Sequence, residues 1–256
     1  MKNNEAILKT KILIIDSGVD VTNPSLANVK VNGRSAFLNE KKEIEFIENF
    51  RDDFGHGTAI FDIIQKNAPR AEILNIKAFD ENGESQQDVV VSLLEYVYYN
   101  IPCDIINLSL GFTQYENVTD LKKIVNKLYD RGTIIVSAFS NDGGVSFPAA
   151  FENVIGVDSN RDLRFKSEYE FVENSIVNIR AKGGKQRVIW KMPEQNAIVE
   201  GNSFSAAYIT AIVANIMQRG VPSNDILKEL RMSATLHIGK SNKKSVELSY
   251  VQPKIA

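Results

Sequence analysis

Short apolar runs alternate with longer segments of helical period along the first part of the chain. KILIID, AEILNIKAF, DIINLSLG, TIIVSAFS and NVIGVDS are dense in Val, Ile and Leu. Runs of this kind predict strands covered on both faces, because neither side of the alternation is polar. Between them lie HGTAIFDIIQKNA, QQDVVVSLLEYVYYN and NVTDLKKIVNKLYDRG, each long enough for a helix. The last ends on Gly132, a residue suited to a left-handed C-cap. Strand–helix–strand repetition predicts an α/β protein with a parallel sheet and helices on both faces. After Asp158 the pattern changes. SIVNIRAKG, RVIWKMP and AIVEGN read as antiparallel strands, and SFSAAYITAIVANIMQRG reads as a helix apolar all round, hence central and buried. SNDILKELRMSA predicts an amphipathic helix capped by Ser or Asn, and GKSNKKSVELSYVQPKIA is polar and weakly patterned. No linker, repeat or low-complexity tract interrupts the chain, so residues 1–256 are expected to form one domain.

Composition narrows the function classes. With 43% hydrophobic and 24% charged residues and a net charge of −2, the chain has the make-up of a soluble globule without a nucleic-acid footprint. No apolar run reaches the roughly 20 residues that span a bilayer, which argues against a membrane partner. The opening MKNNEAILKTKILIIDSG runs straight into Asp16 without a small-residue cleavage site, and reads as a first strand and not as a signal peptide. Cys103 is the sole cysteine, which fits a reducing compartment; in CDIINLSLG it is expected to be a small buried hydrophobe.

Four polar residues stand at the ends of apolar segments. Asp16 closes a wholly apolar strand, where α/β sheets place their ligands, although an Asp before Ser-Gly also suits a plain turn. His56 lies between Gly55 and Gly57 and opens a helical segment; a capping or core role is the competing reading. His237, the other histidine, sits in weakly patterned ATLHIGK and is expected on the surface or in packing. Ser203 precedes the apolar helix, where free N–H groups favour a developing negative charge, but a helix-capping serine is equally common and Ser205 is a rival for either role. Asn141, after a buried strand and before a Gly pair, can aim its amide at a carbonyl oxygen or simply form the turn. A serine is a weak nucleophile unless a histidine takes its proton, and the histidine needs a carboxylate to fix its tautomer.

Together DSG, GHGT, the NLSLG run, SND-G and G-x-S ahead of an apolar helix resemble the subtilisin-like serine proteases in kind and order, from Lys11 to Gly220. The resemblance implies a three-layer subtilisin-like α/β fold with a central, mostly parallel sheet flanked by helices. It assigns Asp16, His56 and Ser203 to the triad, and Asn141 with the Ser203 amide to the oxyanion hole. Ser109, Leu110 and Gly111 align with a strand that pairs with the substrate backbone, and Gly83, Glu84 and Ser85 with the opposite one. A peptide or protein substrate would then be clamped as an added β-strand. Ala138, Phe139, Ser140 and Ser146 would line or floor the pocket for the residue before the cut. The resemblance implies no cofactor, and no calcium-ligand cluster of the secreted kind stands out.

Departures refine this expectation. The family string Gly-Thr-Ser-Met-Ala is here Gly201-Asn202-Ser203-Phe204-Ser205, with Tyr208 at a proline position; Ala59 replaces the second histidine of HGTH, and Asp62 a glycine. None of these removes a reacting group. Ser140 where a glycine is usual, with a short loop between Asn141 and Phe147, implies a narrower or more polar pocket. Asp80, Glu81, Glu84 and Asp88 surround the presumed clamp strand; they would favour a basic peptide, or form a solvated loop. Fifteen residues precede Asp16, which fits either a trimmed mature form or a protease that works inside the cell; the single cysteine and the lack of a signal favour a cytoplasmic protease. A leader peptidase for a lanthipeptide-like precursor heads the readings. A general intracellular subtilase and an idle peptide-binding domain are the alternatives.

Overall fold

The computed structural model of the chain describes residues 9–79, 85–113 and 118–238. Its elements in chain order are β1 (Lys11–Asp16), β2 (Asn32–Leu38), β3 (Ile44–Ile47), α1 (His56–Asn67), β4 (Glu72–Lys77) and α2 (Gln87–Asn100). Then follow β5 (Ile105–Leu108), α3 (Val118–Asp130), β6 (Ile134–Ala138), β7 (Val154–Asn160), β8 (Tyr169–Val172) and β9 (Ile179–Lys182). The chain continues through β10 (Gln186–Ile189), β11 (Asn196–Val199), α4 (Asn202–Met217), α5 (Ile226–Ser233) and β12 (Leu236–Ile238).

Ten strands form one sheet in the order β12-β8-β9-β7-β6-β5-β1-β4-β2-β3, and β10 pairs with β11 as a separate antiparallel ribbon. β3, β8 and β12 run against the rest. β1 is central, with β4 on one side and β5 on the other, both parallel. Its alternation sorts the core into two layers. Ile12 and Ile14 face the helices α1 and α4, whereas Leu13 and Ile15 face α2 and α3. Each fully buried side chain of this size contributes about 1.5–3 kcal/mol relative to exposure. Helices on both faces of a mostly parallel sheet make the three layers that the resemblance implied.

α4 is the keystone of one layer. Twelve of its sixteen residues are buried, and its small residues Ala206, Ala207, Ala211 and Ala214 let it lie close against α1 and the sheet. Gly132 takes φ +89°, and the N–H groups of Gly132 and Thr133 bond the carbonyls of Tyr129 and Leu128, closing α3 as its sequence predicts.

Four expectations need correction. β9 was expected among antiparallel strands, but it pairs parallel with β7 and antiparallel only with β8, because the sheet continues past β7 before reversing. β2, β3, β8 and β12, which no long apolar run marks in the sequence, extend the sheet at its two ends, with β3 and β12 as its edges. Ser223–Asp225 forms a 3₁₀ turn, so α5 starts later, at an Asp225 cap without a side-chain bond. Cys103 is part-buried; burial pushes its thiol up to about 11, with Arg131 3.9 Å from its sulfur. Gly83, Glu84, Asp80, Glu81 and the polar C-terminal tail lie outside the described residues. No helix among the described residues is long and apolar enough to cross a membrane.

Candidate active site

The C-terminal ends of β1, β5 and β6 open onto one side of the sheet. The order of strands reverses around β1, and α/β sheets bind ligands at such a switch point. Asp16 is the last residue of β1 and is buried. Its Oδ1 accepts from the Ser17 amide (2.8 Å), from the Ser17 hydroxyl (3.3 Å) and from His56 Nδ1 (2.7 Å). An ionised carboxylate can only accept, so Nδ1 carries the imidazole proton and Nε2 is left as a bare base.

Local geometry explains why His56 can stand there. A Cβ on Gly57 would lie 2.3 Å from the Gly18 carbonyl oxygen and 3.1 Å from Asp16 Oδ1, so only glycine lets α1 begin this close to the β1 turn. Gly55 caps α1 with φ +108° and lies under the Trp190 ring. The first free N–H groups of the helix are taken by side chains: Gly57 donates to Ser17 Oγ (2.8 Å) and Thr58 to Asp52 Oδ2 (2.8 Å). Asp52 also accepts from the amides of Phe54 and Gly55 and from the Thr58 hydroxyl. Burial pulls the His56 pKa down. The charge and hydrogen bond of Asp16, with the charge of Asp52 behind, outweigh that pull and hold it above the ordinary value of 6.5.

Ser203 is the second residue of α4, and Gly201 is the cap, so Ser203 is not a capping serine. Its hydroxyl donates to the Ser109 carbonyl at 3.2 Å and makes no hydrogen bond to His56. Phe204, next in the chain, lies against the His56 ring at 5.5 Å between centroids, which keeps the turn of Ser203 beside the imidazole. Rotation about one side-chain bond re-aims the hydroxyl. Ser205, the rival, is wholly buried and donates to the carbonyls of Ala181 (3.3 Å) and Lys182 (3.0 Å). It has no access to a substrate.

Asn141 is exposed, and its Oδ1 accepts from the Asn202 amide at 2.9 Å. That bond fixes the side-chain amide and leaves Nδ2 as a donor. Gly201, at φ +144°, is needed here, because a Cβ would lie 3.1 Å from Asn141 Oδ1. The Gly201 cap supplies no side-chain bond and Asn141 Oδ1 takes only the Asn202 N–H, so the Ser203 N–H is a second donor in the positive end of the helix. Replacing Asn141 by alanine should lower kcat by about 10²–10³-fold with little change in KM, as loss of one oxyanion donor does; steady-state kinetics on a peptide substrate checks this.

The remaining candidates fall around this centre. Ser109, Leu110 and Gly111 continue beyond the end of β5. Ser109 Oγ accepts from the buried Asn107 Nδ2 (2.8 Å) and lies 3.5 Å from the Ser203 carbonyl. Leu110 turns its side chain into the layer of α2 and α3. Ala138 ends β6, and Phe139 packs with Ala149, Val172 and Val177, away from the cleft. Ser140 follows, and its amide donates to the buried Ser146 Oγ at 3.0 Å. Ser85 donates to the Ala78 carbonyl at 2.8 Å. His237 lies 3.8 Å from Glu173 at the far edge of the sheet, remote in topology from the β1 end.

Two supporting residues are missed by sequence reasoning. Asp52 is legible only as an acid shortly before a helix start. Asn202, where the resemblance expects Thr, is buried; its Nδ2 donates to the carbonyls of Phe139 and Ser140 (3.1 Å each), and its Oδ1 accepts from the Ser159 amide (3.0 Å). It ties the segment ahead of Asn141 to the turn carrying Ser203. Asn202→Ala would leave buried backbone groups unpaired, each costing about 1–3 kcal/mol. Urea unfolding should show a loss of at least that size, with kcat/KM reduced alongside.

Comparison with known proteins places this arrangement. The model of the subtilase family matches residues 9–246. The chain belongs to the subtilase family. This subtilase is similar to the minor extracellular protease Epr of Bacillus subtilis (strain 168), 34% identical over 59% of this chain. It spans only 23% of that relative's length. It is also similar to the major intracellular serine protease of the same organism, 26% identical over 90% of this chain and 78% of the relative. A crystal structure of a cold-adapted subtilisin-like serine proteinase shares the fold, with TM-score 0.70 and 19% identity over 90% of this chain and 83% of that one. The subtilase is a serine peptidase by family, and its described residues carry an acid, a base and a serine at the sheet end where such chemistry is done.

Proposed function

We propose that this subtilase is a cytoplasmic processing endopeptidase that cuts a ribosomally made precursor peptide at a defined position, as a leader peptidase of the lanthipeptide type does. Ser203 Oγ attacks the scissile carbonyl and passes its proton to His56 Nε2. Asn141 Nδ2 and the Ser203 N–H hold the oxyanion. Collapse of the tetrahedral intermediate breaks the C–N bond, and His56 returns the proton to the leaving amine. Water then repeats the sequence on the acyl-enzyme and restores the Ser203 hydroxyl. The observation that carries this reading is the 2.7 Å bond between His56 Nδ1 and Asp16 Oδ1, which leaves Nε2 free to act.

An intracellular setting is supported by the similarity to the major intracellular serine protease of Bacillus subtilis and the intracellular serine protease of Paenibacillus polymyxa. The restricted space around Ser140 and Ser146 supports selectivity. Incubation with a candidate precursor should give a single cut, read by mass spectrometry. Many cuts in casein would instead favour a general intracellular subtilase. One observation favours an idle peptide-binding domain: the Ser203 hydroxyl rests on Ser109 and not on His56. Labelling by a fluorophosphonate separates the two, since only an activated serine reacts.

A further inference from the structure

The scissile carbonyl must lie within reach of Ser203 Oγ, which rests on the Ser109 carbonyl, and of Asn141 Nδ2. The residue that carries this carbonyl therefore sits over the seam between Ser109–Gly111 and Ala138–Ser140. Its side chain points into whatever space opens where β5 and β6 part company, beyond the paired Leu108 and Ser137.

That space is filled by the protein itself. Ser146 is wholly buried, and its Oγ accepts from the Ser140 amide on one wall at 3.0 Å. On the other wall, a Cβ placed on Gly111 would meet Ser146 Oγ at 2.8 Å and Ser146 Cβ at 2.9 Å. One serine side chain thus spans the gap from wall to wall. Behind it, Phe112 and Phe147 form an antiparallel bridge, each amide donating to the other's carbonyl at 2.9 and 3.0 Å, which closes the seam. Phe139 adds no apolar lining, since it is turned into the cluster behind β6.

We propose that Ser146 makes this subtilase selective for substrates with a small residue, glycine, alanine or serine, immediately before the cut. The inference rests on the serine-peptidase reading above and names the substrate class for the same site. A leucine, lysine or aromatic side chain would have to displace Ser146 and break its bond to Ser140. A methyl or hydroxymethyl group asks for far less room.

The test uses the intact protein and two kinds of probe. A fluorophosphonate, which carries no side chain for this position, reports Ser203 alone. Peptidyl diphenyl phosphonates differing only in the residue before the reacting phosphorus (alanine, leucine, phenylalanine or lysine) report the seam. The alanine probe should inactivate at least ~10-fold faster than the others, the discrimination expected when a pocket lacks room for added carbons. Ser146→Gly should shrink that ratio by roughly the same factor, and Ser146→Thr should slow even the alanine probe. Equal or faster inactivation by the large probes, with fluorophosphonate labelling intact, overturns the proposal alone. Loss of fluorophosphonate labelling in the wild type would instead bring down the serine-peptidase reading beneath it. Should Ser146→Gly not fold, the wild-type ratios and the threonine variant decide the matter.

Discussion

Replacing Ser203 by alanine should abolish fluorophosphonate labelling and lower kcat by about 10⁶-fold, the scale on which a serine peptidase loses its nucleophile. The fold should barely notice. Ser203 follows the helix cap, its hydroxyl makes one contact to the Ser109 carbonyl, and a bond of that kind contributes about 1 kcal/mol. Circular dichroism and thermal unfolding close to wild type would assign the loss to chemistry. A His56→Ala, Ser203→Ala double variant should be no worse than either single one, because the two groups act as a unit. A Ser203→Ala protein that retained cleavage would mean that the reaction runs elsewhere, and Ser205 is not the place: it is sealed under the Ala181 and Lys182 carbonyls.

Asp16→Asn should cost about 10⁴-fold in kcat and move the pH profile in a defined direction. As the proposed base, His56 can act only when neutral, and its pKa lies above the ordinary 6.5. The acid limb of kcat/KM should therefore fall at a pH higher than for a free imidazole. Two influences compete at His56. Burial is the larger single one and lowers the pKa; the Asp16 charge and hydrogen bond, aided by Asp52, reverse it. Without the Asp16 charge, burial prevails, so the acid limb of the residual activity should shift to lower pH. The amide also presents an N–H₂ group that clashes with Nδ1–H and favours the wrong tautomer, which explains a rate loss beyond the altered titration. An unchanged acid limb in Asp16→Asn would show that the carboxylate does not set the histidine's charge state.

Much of this was readable from the chain. The apolar runs KILIID, DIINLSLG and TIIVSAFS became adjacent central strands because a strand covered on both faces has no polar alternation to disguise it. The motifs around Asp16, His56, Asn141 and Ser203 drew attention because each sets a polar residue at the mouth of an apolar segment or beside glycines. The edge strands were illegible for the converse reason. β2 and β12 carry exposed and polar positions and pair with strands distant in sequence, and β3 follows only as the hairpin partner of β2.

The choice between Ser203 and Ser205 could not be made from sequence. Two serines two residues apart on one helix point to different sides, and only the position of the β9 turn shows which is buried. Nor could the sequence reveal that Asn202 pins both Asn141 and the Phe139–Ser140 segment, since those bonds join residues some sixty positions apart. By itself the sequence determined the layers, the order of the reacting groups and the chemical type of each, because these follow from local pattern and residue chemistry. The tertiary structure alone decided which serine faces the cleft, how the histidine proton is placed, and that Ser146 closes the seam. Those outcomes depend on contacts between segments that no local pattern records.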